Sequence, residues 1–166
     1  LQAEIPITDD LTITGPGAGQ LAISGDSDGD DVPDLATSPV EHGDTRIFDV
    51  SDPSSPGAPR QSVSISGLTL KEGVAETDAP APAPGGAIYA QDTALDLTSV
   101  TLTGNVATDG GGAIYAQDSA LALTRVTLTG NVATDGGGGA VLVGGPIGGR
   151  FEATDCTFTS NQARGG

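Results

Sequence analysis

The sequence predicts an all-β chain wound into a parallel β-helix, a solenoid of about five coils of roughly 26 residues each. Three observations carry this prediction. The first is a repeat. Gly85-Gly86-Ala87-Ile88-Tyr89-Ala90-Gln91-Asp92 opens a segment that returns at Gly111-Gly112-Ala113-Ile114-Tyr115-Ala116-Gln117-Asp118, and the two 26-residue copies differ only at Thr93/Ser119, Asp96/Ala122 and Ser99/Arg125. A period of this length marks stacked units, each too small to bury an apolar face alone. The second is alternation: Leu95 and Leu97, then Val100 and Leu102, are separated by small polar residues, the period of two that belongs to strands. Third, no helix-length segment lies between those strands, so three short strands and three turns fill one coil.

Stacking explains the composition of a coil. Neighbouring coils lie roughly 4.8 Å apart, the hydrogen-bonding distance between strands. Equivalent residues then sit above one another: Leu95 on Leu121, Leu97 on Leu123, Val100 on Val126, Leu102 on Leu128. The Gly-rich runs Gly110 to Gly112 and Gly136 to Gly139 supply corner conformations that residues with a Cβ resist. Asn105, Asn131 and Asn161 each follow the third strand of a coil. They are expected to form an asparagine ladder, each amide bonding the turn of the next coil; the plain alternative is that Asn suits a left-handed turn position.

In chain order, residues 1–25 hold three short strands, around Ile5 and Ile7, at Leu11 to Thr14 and at Leu21 to Gly25, with Gly15-Pro16-Gly17 as a turn. Residues 26–45 form a polar insertion. A strand returns at Arg46 to Val50, followed by a Pro/Ser/Gly loop from Asp52 to Pro59. Gln61 to Leu70 supplies two strands in which Val63, Ile65, Leu68 and Leu70 match Leu95, Leu97, Val100 and Leu102. The Ala/Pro run 78–84 is an extended surface loop within one domain spanning 1–166. After Gly136 come Ala140 to Val143, a Gly/Pro loop, and then Phe151, Ala153, Cys156 and Phe158. The lone Cys156 stands where Val100 and Val126 stand, so it is a small core residue and no nucleophile.

Charge narrows the partners. Seventeen Asp and five Glu against one Lys and five Arg leave a net charge of −16, which excludes nucleic acid and admits cationic surfaces and metal ions. No apolar run approaches membrane-spanning length, so this segment does not insert in a membrane. The opening at Leu1, without a start methionine or signal peptide, leads to the expectation of a mature or cut piece of something longer.

The order Leu11-Thr-Ile-Thr-Gly-Pro-Gly, Leu21-Ala-Ile-Ser-Gly, Val63-Ser-Ile-Ser-Gly-Leu-Thr-Leu, then Gly-Gly-Ala-Ile with Gly-Asn closing each coil resembles a known family. It is similar to the right-handed parallel β-helix region of large bacterial surface proteins, including polymorphic outer-membrane proteins and autotransporter-like adhesins. That resemblance implies an extracellular or cell-surface location. It also implies a structural or adhesive role, with a host or cell-surface ligand or carbohydrate as partner.

The sharpest chemical motif is Asp26-Ser27-Asp28-Gly29-Asp30-Asp31-Val32-Pro33-Asp34. Carboxylates of Asp26, Asp28, Asp30 and Asp34, with the carbonyl of Val32, can surround a hard cation that takes six to eight oxygens, so calcium is the expected cofactor. The stretch is similar to the calcium loops of thrombospondin type 3 repeats, with Asp31 where those carry Gly and Thr37 where they carry an acidic residue. The plain alternative is a solvated acidic hairpin tip. Asp92 over Asp118 and Asp109 over Asp135 make two further carboxylate pairs; at one coil's distance their repulsion in water costs about 1 kcal/mol, which solvation alone can tolerate, a bridging cation being the alternative.

Outward positions of the third strand spell Thr101/Thr103, Thr127/Thr129 and Thr157/Thr159, two rows broken at Lys71 and Ser24. Such Thr-x-Thr rows are similar to the flat faces of ice-binding β-helices, although Thr also has high strand propensity on any exposed face. Tyr89 and Tyr115 are expected to stack outward as a small aromatic platform for a sugar ring. An enzyme needs an acid/base set. The only His is His42, in the acidic insertion, and Asp96 and Arg125 are scattered and unreplicated, so catalysis is not expected. A carbohydrate-binding or carbohydrate-degrading β-helix remains the alternative. Neither end shows the amphipathic helix that would cap a solenoid, so axial self-association into a fibre or continuation into a longer solenoid is expected.

Overall fold

The computed structural model describes residues 1, 3–26, 44–51, 61–76, 83–146 and 148–165. Among these, every regular element is a strand. All pairings are parallel, and they join each strand to its counterpart one coil away. In the coil that opens at Gly85 the strands are Ile88–Gln91, Thr93–Thr98, Thr101–Thr103 and Val106–Ala107. Four parallel sheets run along the axis; three hold five strands and the fourth holds four. The chain is an all-β parallel solenoid.

Two expectations need correction. A coil has four strands where three were expected, because Val106–Ala107, paired with Val74–Ala75 and Val132–Ala133, forms a sheet of its own. A two-residue strand buried on both positions shows no alternation, so periodicity is blind to it. The coil count also differs, since only about three turns keep the regular length, opening at Gly85, Gly111 and Gly138. Before them the steps are longer: Ile5 pairs with Phe48 and Phe48 with Ile88, whereas Ile88 pairs with Ile114. The N–H of Thr45 donates to the carbonyl of Gly25 at 3.0 Å, so the chain on the two sides of residues 27–43 comes together.

Corners are single left-handed residues stacked in columns. Between the second and third strands stand Gly67, Ser99, Arg125 and Asp155, with φ of 63°, 54°, 53° and 55°. Glycine is therefore not the general corner residue. It is required where backbones touch: a Cβ on Gly86 would collide with the carbonyl oxygens of Val106 and Gly112.

The interior is a set of like-on-like columns. Val63, Leu95, Leu121 and Phe151 share one register, and Ile65, Leu97, Leu123 and Ala153 the next. Leu70, Leu102, Leu128 and Phe158 line the third sheet. Leu97 and Leu102 are fully buried, while Phe151 and Phe158 in the last described coil are 44% and 47% exposed. Cys156 packs half-buried against this core, its Sγ donating to the carbonyl of Thr154 at 3.2 Å.

The columns set a mutational contrast. Leu97→Ala or Leu123→Ala should destabilise the fold by about 2–5 kcal/mol through lost burial and an unfilled cavity. Thr101→Ala, on the half-buried outer face, should cost well under about 1 kcal/mol. Denaturant unfolding measures both, and equal losses would refute the inward/outward assignment.

Candidate functional site

At the corner between the third and fourth strands the interior contains amides. The Oδ1 of Asn131 accepts from the backbone N–H of Asn105 at 3.0 Å and from its Nδ2 at 2.8 Å. The Oδ1 of Asn161 does the same for Asn131, at 3.1 and 2.8 Å. The Oδ1 of Asn105 takes the N–H of Gly73 at 2.9 Å. Each Nδ2 also donates to a carbonyl of the preceding coil: Leu70, Leu102 or Leu128. The amides thus satisfy backbone groups that strand pairing leaves free at a corner. A second polar column, not foreseen from the sequence, lies at the entrance to the second strand. Buried Ser119 accepts through Oγ from the N–H of Thr93 at 3.0 Å, and Thr93 Oγ1 accepts from Gln61 Nε2 at 3.2 Å. The only signal was that these small hydroxyl residues replace one another between the two repeat copies.

Outside, the third sheet carries the threonines. Thr101, Thr127 and Thr157 are in register, as are Thr103, Thr129 and Thr159. Thr69 extends the first row by one rank, while Lys71 interrupts the second and pairs with Glu72 at 2.9 Å. On the second sheet Thr14, Ser66, Thr98, Thr124 and Thr154 form another hydroxyl column.

The first sheet holds the one aromatic cluster among the described residues. Tyr89 and Tyr115 occupy the same register, and their rings stack with centroids 5.8 Å apart and planes 9° from parallel. The guanidinium of Arg46 lies 5.3 Å from the Tyr89 centroid and is fixed there by the carbonyls of Gly85 and Pro84, each at 3.0 Å, and by Glu4. Asp49 is the register partner of Tyr89 on the other side and accepts from Ser51 at 2.6 Å. The Tyr89 hydroxyl lies 2.9 Å from Gln91 Oε1 and 3.3 Å from Gln117 Oε1. Its phenol titrates above the ordinary value, first because of burial and then because of the Asp49 carboxylate. Arg46, Asp49, Pro84, Tyr89, Tyr115 and Gln117 enclose an open cleft of about 390 Å³. The flat platform expected from the sequence is therefore modified: the rings stack on one another between neighbouring coils, and both line the cleft.

The acidic pairs have mixed surroundings. Asp92 is exposed and Asp118 only 6% exposed, both at left-handed corners. Asp109 Oδ2 accepts from the N–H of Ala83 at 3.2 Å. Of the expected calcium ligands, Asp26 is described, its N–H donating to Ser24 Oγ at 3.3 Å. Asp28, Asp30, Val32 and Asp34 lie outside the described residues, as does His42. Among the described residues no three His, Cys, Asp or Glu side chains come close enough together to hold a metal.

Fold and surface define the class: a parallel β-solenoid, one repeat per coil, with plain hydroxyl faces. Residues 99–117 match the family model of the Chlamydia polymorphic membrane protein repeat. The matched stretch runs from the Ser99 corner through Asn105 and the Gly110–Gly112 turn into the strand Ile114–Gln117, and it agrees with the resemblance to the β-helix region of bacterial surface proteins. Searches of curated proteins and of solved structures returned no match.

Asn131 tests the ladder. Asn131→Ala removes the acceptor of the Asn105 backbone N–H and of one of its two Nδ2 hydrogens, the other keeping the Leu70 carbonyl, and should cost about 1–3 kcal/mol for each group left unsatisfied. Asn161, in the last described coil and half-buried, should cost less when changed to Ala. Equilibrium unfolding of the two variants supplies the comparison.

Proposed function

We propose that the chain is a rigid structural module of a bacterial cell-surface protein, a length of solenoid that displays binding surfaces. The repeat match at 99–117 carries this reading, because it falls on the regular coils and includes their ladder and glycine corner. The outer faces support it. Asp96 stands between Ser64 and Ala122 in register, and Arg125 donates to Ser99 at 3.3 Å, so neither belongs to a repeated acid/base arrangement. In cells that make the protein, antibodies against this segment should label the intact surface. Labelling only after lysis would overturn the reading.

Calcium and axial contact extend the proposal. Five Asp between 26 and 34 repel one another, and a cation held by Asp26, Asp28, Asp30, Asp34 and the Val32 carbonyl relieves that repulsion. The exposed Phe151 and Phe158 and the outer edge of the strands Arg150–Thr154 and Thr157–Thr159 suit a further coil, from the same chain or a second copy, an adhesive contact that repeats into a fibre. One experiment reads both effects: chelation should lower the melting temperature and reduce light scattering by concentrated protein. Asp28→Ala should remove the response to chelator. Unchanged melting and scattering after complete metal removal would dismiss calcium and its part in association.

A further inference from the structure

We propose that the cleft beside the stacked tyrosines binds a neutral hexopyranose, the terminal or internal ring of an uncharged glycan. Three observations on the site point to this ligand. The first is shape. Rings only 9° from parallel with centroids 5.8 Å apart are offset, since face-to-face contact needs closer centres, so part of each ring stays uncovered and forms an apolar ledge. Pro84 adds a further apolar side chain to the lining, and the cleft of about 390 Å³ falls in the range of small-molecule sites, roughly 300–1,000 Å³.

The second is the polar set. Asp49 brings a carboxylate and Gln117 an amide, planar groups that pair with two adjacent hydroxyls at once. The Tyr89 hydroxyl stands between two glutamine amides and is already engaged; the Tyr115 hydroxyl has no partner among the described residues and is available. A sugar ring offers an apolar face of C–H groups with hydroxyls at its rim, the complement of this arrangement.

The third is charge. Arg46, the cleft's cation, engages Gly85, Pro84 and Glu4 with three of its N–H groups and Tyr89 with its face, and the Glu4 carboxylate already pairs its charge. With Asp49 in the cleft and a net charge of −16 overall, a uronic or sialic acid is repelled and a neutral ring is not.

The test uses a property of this chain: it has no tryptophan, and both of its tyrosines are in the cleft. Intrinsic tyrosine emission therefore reports this site. The whole chain is titrated with methyl glucoside, methyl galactoside and N-acetylglucosamine, and with glucuronate as the anionic control. Concentrations reach tens of millimolar, since a single ring is expected to bind with about millimolar affinity. At least one neutral sugar should give a saturable change, with saturation-transfer NMR on the sugar protons in agreement, and glucuronate should give none. Tyr115→Phe, which keeps the stack, and Asp49→Asn should each weaken binding about fivefold or more, with melting curves verifying that both variants fold. No saturable response to any neutral sugar by either method would overturn the proposal. Equal binding of glucuronate would overturn the ligand class, and undiminished binding by both variants would overturn the site.

Discussion

The constraint on which everything else depends is axial register. Each coil pairs with its neighbours through parallel strands, so a residue must sit over its equivalent at every step. A slip of one position would turn Leu95 and Leu97 outward and Ala94 and Asp96 inward, because alternate residues face opposite sides of a strand. Like therefore stacks on like: leucines inside, threonines outside, left-handed residues at corners. The Asn105–Asn131–Asn161 stack locks this register where pairing is interrupted, since one residue's shift would leave several buried amide groups unpaired at once.

Register restricts the coils and leaves the corners free. Length can be added where the chain turns outward, and the cost of closing a longer loop grows only slowly with its length. The N-terminal coils use this freedom, with Thr45 re-entering beside Gly25 after the acidic insertion. Binding surfaces on such a scaffold arise from columns or from the rims of inserted loops, and the tyrosine cleft combines the two. Tyr89 and Tyr115 belong to a column, while Arg46 and Pro84 enter from segments next to longer loops.

The sequence by itself determined the fold class, because its 26-residue repeat and period-two leucines admit few other structures. It also determined which residues share a column: Leu97 and Leu123, Thr101 and Thr127, Asn105 and Asn131 needed only the repeat to be aligned. Tertiary structure decided what periodicity cannot encode. Val106–Ala107 is a strand only because neighbouring coils present equivalent pairs to it. Ser99 and Arg125 adopt left-handed conformations that their residue types do not announce, because stacking holds the corner in that shape. Arg46 reaches Tyr89 across one coil, about one strand spacing away in space and a whole lengthened coil away in sequence. Local pattern is repeated in every coil and so can be read from one; a contact made once, between a repeat and a segment outside it, exists only after the coils have stacked.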